Sequence, residues 1–250
     1  SDLEEVPAVL ARVPGATAAK VKVAEKALLL ADEDASAAAD LARIAAVRDA
    51  TGPGVRVRID ANGAWTVRQA AAFLEQVAAT GEHLDYCEQP CATAAELAEL
   101  RELLAARGVP VRIAADESVR RATDPMLVRA LGAADLVVVK AAPLGGVAAA
   151  SQILTATGLP AVVSSALESS VGLAAGVALA ASMPELDGPC GLGTARLFTE
   201  DVTSAPLAPE GGRLEVRRVE ADRVANVAEP ARRAWWADRI GRCLDVLARP

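Results

Sequence analysis

The chain has 250 residues, a formal net charge of −7 and a hydrophobic fraction of 52%. Its length suits one large domain or two small ones, and its apolar residues are numerous enough for a sizeable core. The acidic charge and an aromatic fraction of only 2% argue against nucleic acid as a partner, because nucleic-acid binding calls for a basic patch with stacking aromatics.

The sequence also argues against a membrane or secreted protein. No stretch approaches the about 18 consecutive apolar residues of a membrane span, and residues 1–5 are too acidic for a signal peptide. The spacing of the cysteines fits neither a zinc site nor a disulfide framework and indicates reduced thiols. The cysteines are Cys87, Cys91, Cys190 and Cys243. We therefore predict a cytoplasmic protein, and the acids and lysines of its strand ends predict a small-molecule carboxylate substrate.

A short apolar strand, a turn and an Ala-rich amphipathic helix recur along the chain. The predicted strands are 19–24, 55–60, 84–88, 111–115, 136–141, 161–165 and 190–194. The predicted helices are 34–50, 66–80, 93–107, 123–131, 146–156 and 171–182. Thr66 is placed to cap the start of one helix and Gly108 the end of another. This alternation predicts βαβ units and a parallel sheet.

Seven such units favour a closed β/α barrel of the TIM type over an open doubly wound sheet. No G-x-G-x-x-G follows the first strand, so dinucleotide binding has no support. We assign the barrel to residues 1–200 and a C-terminal extension to residues 201–250. The extension begins with a Pro- and Gly-rich stretch and ends in a helix over 229–248 that carries two tryptophans.

Three carboxylates are predicted to converge inside the barrel. Alternation along the second strand directs Val57 and Ile59 to the helices and Asp60 to the interior. Glu88 ends the third strand and Asp116 follows the fourth, and both intervals are 28 residues, about one β/α repeat. We therefore expect the three acids at matching heights, at the carboxyl ends where barrel active sites lie. A single such acid is more often a loop or capping residue, so the prediction depends on all three together.

Lysines flank these acids on both sides. Only four of the 26 basic residues are lysine, and three of them belong to predicted strands. Unlike arginine, a buried lysine can give up its proton. Lys20 and Lys22 share the interior face one strand before Asp60, and Lys140 ends the strand after Asp116. Lys26 lies beyond its strand and is interpreted as an ordinary lysine.

This arrangement suits a metal-assisted proton transfer. Three converging carboxylates repel one another unless a cation joins them, and an all-oxygen ligand set favours Mg²⁺. Mg²⁺ would stabilise the enediolate formed when a carboxylate substrate loses its α-proton. Lys22 is the better-placed base, and Lys140 faces the other side of the intermediate. Glu117 follows Asp116 and is interpreted as structural, on the opposite face.

Several motifs in this order resemble the enolase superfamily, in its muconate-lactonizing subgroup. The resemblance covers about residues 20–194, most of the chain. The motifs are Lys20-Val21-Lys22, Asp60-Ala61-Asn62, Glu88-Gln89-Pro90, Asp116-Glu117-Ser118, Lys140, the serine-rich segment 164–170 and the Cys-Gly-Leu-Gly-Thr segment 190–194.

The resemblance implies a role for each matching residue. It implies Mg²⁺ ligands at Asp60, Glu88 and Asp116, and catalytic lysines at Lys20, Lys22 and Lys140. It implies that Lys22 acts as base and then as acid in a syn dehydration of a cyclohexadiene carboxylate, a step of menaquinone biosynthesis. Substrate-seating residues would be Asn62, Ser164 and Ser165.

The resemblance also implies a larger architecture. It implies a capping domain and a first barrel strand before the lysine-bearing strand, and we expect neither within residues 1–250. We expect the 201–250 extension to pack against such a capping domain. The oligomeric state is left open.

Three other functions remain as alternatives. A racemase of N-succinylamino acids, or a bifunctional enzyme, would use Lys22 and Lys140 on opposite faces of the substrate. A degenerate barrel would bind or scaffold without catalysis. A Schiff-base aldolase could use Lys140 but would have no need of three carboxylates.

Overall fold

Six parallel strands form one sheet in chain order. The computed structural model describes residues 3–24, 32–120, 125–223 and 228–248. The strands are β1 (Ala18–Lys22), β2 (Arg56–Asp60), β3 (Leu84–Glu88), β4 (Ile113–Ala115), β5 (Leu136–Lys140) and β6 (Ala161–Ser164). Each strand pairs with the next one along the chain, as expected of consecutive βαβ units.

Helices alternate with the strands, and one long helix lies near the C-terminal end of the chain. They are α1 (Val6–Leu10), α2 (Glu33–Thr51), α3 (Val67–Ala79), α4 (Ala94–Arg107), α5 (Glu117–Arg120), α6 (Leu127–Ala130), α7 (Val147–Thr157), α8 (Ser170–Ser182) and α9 (Pro230–Leu247). Thr66 caps α3 in a reciprocal capping box with Gln69, and Gly108 ends α4 in the left-handed conformation. Both predicted caps are confirmed. In the described residues, no helix has the length and apolar character needed to cross a bilayer.

Both faces of the sheet are buried, as in a β/α barrel. The helix-facing side chains, among them Val57 and Ile59, join the large core between sheet and helices. The opposite face has its own small core, made of Tyr86, Ala114, Leu136, Val138 and Val162. Strands buried on two faces read as nearly continuous apolar runs, which explains the composition of β5 and β6.

The seventh predicted strand, 190–194, is not a strand. Gly191 forms one isolated bridge with Ser164, and a Cβ on Gly191 would lie 2.9 Å from the Ser164 hydroxyl oxygen. Glycines in this segment allow close approach but lower its strand propensity. In the part of the chain that the structure describes, the segment does not pair with β1. The sheet is therefore an open segment of a β/α barrel, which confirms the predicted barrel without its first strand but has six paired strands in place of the seven units counted from sequence.

Helix boundaries differ most after β4. Of the helix predicted over 123–131, the described residues contain one turn, α6, and another turn, α5, lies before the predicted range. Residues 121–124 and Lys26 lie outside the described residues.

The segment after residue 200 is tied to the barrel as far as residue 219. Ser170, at the start of α8, donates its hydroxyl to Asp201 and accepts the N–H of Leu207. Leu207 and Val219 are buried in the large core. By contrast, α9 buries none of its residues. The boundary at residue 200 and the packing of 201–250 against a capping domain stay predictions.

Candidate active site

The predicted acids and lysines come together at the carboxyl ends of the strands. Asp60 pairs in register with Lys22 on one side and Glu88 on the other. Asp116 lies two residues beyond Ala114, the register partner of Glu88. Equal intervals along the chain therefore do not give equal heights, because barrel strands are staggered. The three carboxylates are at most 1% exposed.

Lys20 joins two of these acids. Its Nζ lies 2.7 Å from Oδ2 of Asp60 and 3.0 Å from Oε2 of Glu88. Burial would lower the pKa of Lys20, but Glu88 and Asp60 outweigh it and raise that pKa. Lys20 is thus a fixed cation between two carboxylates.

Lys22 is the most accessible of the three site lysines, with 41% of its side chain exposed. Its Nζ donates to Oδ2 of Asp60 and to Oδ1 of Asn62, at 2.5 Å each. Burial favours the neutral form of Asp60, but the ammonium groups of Lys20 and Lys22 prevail and lower its pKa. Lys22 therefore contacts an ionised carboxylate from the solvent-exposed side of the acid layer.

Glu88 differs from Asp60 in its electrostatics. Burial raises its pKa to about 7, Lys20 opposes the shift, and the carboxylates of Asp60 and Asp116 add to it. The contributions of Asp60 and Asp116 show that the three acids act on one another electrostatically.

Asp116 has a different partner on each oxygen. Oδ2 accepts from Nζ of Lys140 at 2.5 Å, and Oδ1 accepts from Nε of Arg120 at 2.8 Å. Lys140 is only 12% exposed at its side chain and approaches the acids from the side opposite to Lys22. The structure therefore brings together all the acids and lysines that the sequence predicted for the site.

The sequence interpretation placed Glu117 on the face opposite to Asp116, and the structure shows that this was wrong. Its Oε1 accepts from Nη2 of Arg120 at 2.6 Å and from Nδ2 of Asn62 at 3.3 Å. Strand alternation does not apply to Glu117, because β4 ends at Ala115 and Glu117 already opens α5. Glu117 is a rim residue of the site.

Gln89 organises the turn that carries Asp116, a role the sequence interpretation missed. Its Oε1 accepts the N–H groups of Asp116 and Ser118, and its Nε2 donates to the Cys91 carbonyl and the Ser118 hydroxyl. Gln89 is fully buried and has a φ of 39°, in the left-handed region. Glutamine is rarely buried, so a glutamine directly after a buried strand was the signal available in the sequence.

Ser164 and Ser165 are tied to the segment that follows α8. Both hydroxyls donate to the Gly191 carbonyl, at 3.3 Å and 3.1 Å, and Ser165 also contacts the Thr194 hydroxyl.

Glu168 on the same loop was given no role from sequence. Burial raises its pKa, while an N–H of Ala166 and then Lys140 oppose the shift.

A cavity of about 470 Å³ extends below the layer of acids and lysines. Its lining includes Lys20 and Glu88 of the acid layer, Ser164 at the end of β6, and Arg58 and Tyr86, which lie two residues before Asp60 and Glu88 on their strands. Arg58 is fixed by bonds from Nε to Asp85 and from Nη1 to the Pro189 carbonyl, and it stacks over the Tyr86 ring. The site therefore borders a partly open cavity.

The donor chemistry of the acid layer fits a hard divalent cation. Asp60, Glu88 and Asp116 are buried oxygen donors whose mutual repulsion a cation would relieve. In the described residues, however, no group of three acidic, histidine or cysteine side chains is close enough to hold a metal. The ammonium groups of Lys20 and Lys140 contact the carboxylates instead.

A parallel β/α sheet with acids and lysines at its carboxyl ends defines an enolase-type barrel domain. Residues 5–220 match the family model described as Enolase C-terminal domain-like. The chain belongs to this family, which confirms the resemblance drawn from the motifs.

Known relatives are enzymes of this superfamily. Over 246 residues the chain is 50% identical to the o-succinylbenzoate synthase of Mycobacterium tuberculosis, covering 97% of this chain and 70% of that protein. A mandelate racemase/muconate lactonizing enzyme from Roseiflexus sp. superposes with a TM-score of 0.71 at 27% identity, covering 86% of this chain and 58% of that one. The N-succinyl Arg/Lys racemase of Bacillus cereus superposes with a TM-score of 0.65 at 25% identity, covering 80% of this chain and 50% of that one.

Proposed function

We propose that the protein is an o-succinylbenzoate synthase, which dehydrates a succinyl-bearing hydroxycyclohexadiene carboxylate in menaquinone biosynthesis. The observation that carries the proposal is the layer in which Lys22 and Lys140 face buried carboxylates from opposite sides. The 50% identity to synthases over nearly the whole chain supports this substrate class. A cytoplasmic location remains a prediction from composition.

Asp60, Glu88 and Asp116 would hold Mg²⁺, which when bound would stabilise negative charge on the substrate carboxylate. The contacts of Lys20 with both Asp60 and Glu88 support this assignment, since they show that one cation can reach two of the acids. Lys20 would favour the ionised form of both carboxylates, so that neither takes up the substrate proton.

Lys22 would carry out both proton transfers. Its neutral amine takes the proton from the carbon next to the substrate carboxylate, and the C–H electrons move into the carboxylate to give an enediolate. The enediolate then expels the ring hydroxyl, which leaves as water with the proton from Lys22, and the ring becomes aromatic. One base can serve both steps because the departing groups lie on the same face. Lys140 would stabilise the enediolate from the other face.

Asn62, Ser164 and Ser165 are proposed to seat the substrate through groups near the rim. Asn62 is exposed beside Lys22, and Ser164 lines the cavity. Because both serine hydroxyls are engaged with Gly191, their backbone and the loop geometry would make this contribution.

The proposal is tested by incubating the purified chain with the cyclohexadiene substrate and Mg²⁺ and following formation of the aromatic product. We expect turnover in the wild type and a loss of about 100-fold or more in Lys22→Ala. Lys26→Ala is the matched control and should retain turnover. Absence of product formation in the wild type would overturn the proposed activity.

Mg²⁺ binding is tested separately by calorimetry. Asp60→Asn should weaken Mg²⁺ binding by about 100-fold or more, because a carboxylate ligand matters at least as much as its outer-shell partners. Asp49→Asn, at an exposed position on α2, is the control. Equal binding by wild type and Asp60→Asn, or no binding at all, would reject the metal site and favour a non-catalytic barrel.

A racemase of N-succinylamino acids is the second candidate. It is favoured by the placement of Lys22 and Lys140 on opposite sides of the acids and by the fold shared with an N-succinyl Arg/Lys racemase. Racemisation needs a proton carrier on each face, whereas dehydration needs one. Lys140→Ala should therefore abolish exchange of the α-proton with solvent deuterium on one face while it leaves exchange on the other. Exchange in the wild type without dehydration would select the racemase.

A further inference from the structure

Lys22 is held by two acceptors at equal distance. One is the carboxylate of Asp60 and the other is the amide oxygen of Asn62, each 2.5 Å from Nζ. With much of its side chain exposed, Lys22 has little packing to fix its amine. The direction of the amine therefore depends on which end of the Asn62 amide faces it.

The orientation of that amide is decided on its other side. Nδ2 of Asn62 donates to Oε1 of Glu117, and an ionised carboxylate can only accept hydrogen bonds. A flipped amide would turn its NH₂ group toward the Lys22 ammonium and its oxygen toward Glu117, and both contacts would be repulsive. The backbone cannot easily compensate, because Asn62 has a φ of 48° and its N–H is bound to Asp60.

Glu117 is in turn fixed by Arg120. The guanidinium donates through Nη2 to Glu117 and through Nε to Asp116, so one side chain holds both carboxylates. Oε2 of Glu117 is buried and, within the described residues, has no hydrogen-bond partner. A carboxylate buried in this way costs stability, so a purely stabilising role does not account for it.

We propose that Glu117, held by Arg120, is a positioning residue that orients the Asn62 amide and through it the amine of Lys22. The hydrogen bonds run without a break from Lys22 through Asn62, Glu117, Arg120 and Asp116 to Lys140. This chain of contacts makes the positions of the two lysines interdependent. The expected loss of turnover rests on the proposed function, whereas the hydrogen bonds themselves do not.

The kinetic test is a double-mutant cycle between Glu117→Gln and Asn62→Ala. Glutamine keeps an acceptor for Arg120 but can also donate, so the Asn62 amide is free to flip. We expect Glu117→Gln to lower kcat by about 10- to 100-fold, the cost of a misplaced catalytic group, with little change in KM. If Glu117 acts through Asn62, the double variant should be no slower than Asn62→Ala. Additive losses would overturn the proposal.

The matched control for these losses is Glu75→Gln. It also removes a carboxylate paired with an arginine, since Glu75 contacts Arg107 at 2.8 Å, but it lies away from the site. We expect Glu75→Gln to leave kcat unchanged. Urea unfolding of all the variants separates a catalytic loss from a general loss of stability.

A spectroscopic test does not depend on activity. The chain contains only two asparagines, Asn62 and Asn226. Labelling with [¹⁵N]asparagine therefore gives two side-chain NH₂ signals, and the Asn62→Ala spectrum assigns them. We expect Glu117→Gln to shift the Asn62 pair and Glu75→Gln to leave it in place. An unmoved Asn62 pair in Glu117→Gln would refute the positioning role, whereas a wild type without turnover would refute only the proposed function.

Discussion

Ionisation of Glu88 makes the stability of the metal-free protein depend on pH. Its pKa in the folded state is about 7, against an ordinary 4.5, because of burial. A raised pKa means that its contribution is fully present below pH 4.5 and is lost as pH rises toward about 7. In urea unfolding with a chelator, Glu88→Gln should therefore gain stability relative to the wild type over this range.

Glu99→Gln is the control, because Glu99 is exposed on α4 and lies outside the acid layer. Asp60 acts in the opposite direction, since its lowered pKa removes stability only as pH falls below its usual range. Parallel curves for wild type and Glu88→Gln would contradict the assigned shift.

Gln89 carries a second prediction at the residue scale. Gln89→Leu removes four hydrogen bonds from a fully buried turn and leaves the N–H groups of Asp116 and Ser118 without acceptors. We expect it to lower the free energy of unfolding by on the order of 2–4 kcal/mol. Gln76→Leu, at an exposed position on α3, should have little effect. Similar unfolding midpoints for the two variants would contradict the role of Gln89.

Among the elements, the helix ends are the easiest to predict from sequence. Thr66 and Gly108 act through local chemistry, a side-chain acceptor and a left-handed backbone, so neighbouring elements do not alter the outcome. Six of the strands were also predictable, because apolar runs between helices leave few alternatives. The segment 190–194 was not, because its one bridge depends on how closely Gly191 approaches Ser164.

The cap of α3 gives a prediction at this scale. Thr66→Ala removes the acceptor for the N–H of Gln69 and breaks the capping box. We expect a loss of about 1 kcal/mol in the free energy of unfolding. Thr155→Ala is the control, because that hydroxyl only donates back to the Ser151 carbonyl within α7. Equal losses in the two variants would count against the cap.

On the scale of the whole molecule, the two ends of the described barrel meet at a pair of glycines. A Cβ on Gly212 would lie 2.1 Å from the carbonyl oxygen of Gly15, whereas a Cβ on Gly211 would meet nothing within 4 Å. Both Gly211 and Gly212 have positive φ, so alanine at either position pays the same kind of backbone strain. The pair therefore separates the effect of close packing from that of conformation.

We expect Gly212→Ala to lower the unfolding midpoint clearly more than Gly211→Ala, since only the former pushes the segment after residue 200 away from the start of the chain. Strain alone should cost about 1 kcal/mol at either site. The measurement is thermal or urea unfolding of both variants. Equal destabilisation would mean that this contact does not hold the segment in place.

The site could be predicted from sequence as far as its strands extend. Alternation placed Lys20, Lys22 and Asp60 on the interior face, and Glu88 and Lys140 were located by their positions at the ends of β3 and β5. Alternation does not apply beyond the strand ends. There the sequence interpretation assigned Glu117 to the wrong face and missed the role of Gln89. The contacts of both depend on loops that meet only in the folded molecule.

The distribution of amines has a practical consequence for anyone who handles this protein. Three of its four lysines belong to the acid layer, and Lys22 is the most accessible of these three. Coupling to a resin, a dye or a crosslinker through amines would therefore reach Lys22 in the candidate site as well as Lys26 and the N-terminal amine. Cys243 on α9 is exposed and distant in sequence from the site motifs. Thiol-directed attachment at Cys243 would keep the working amines free.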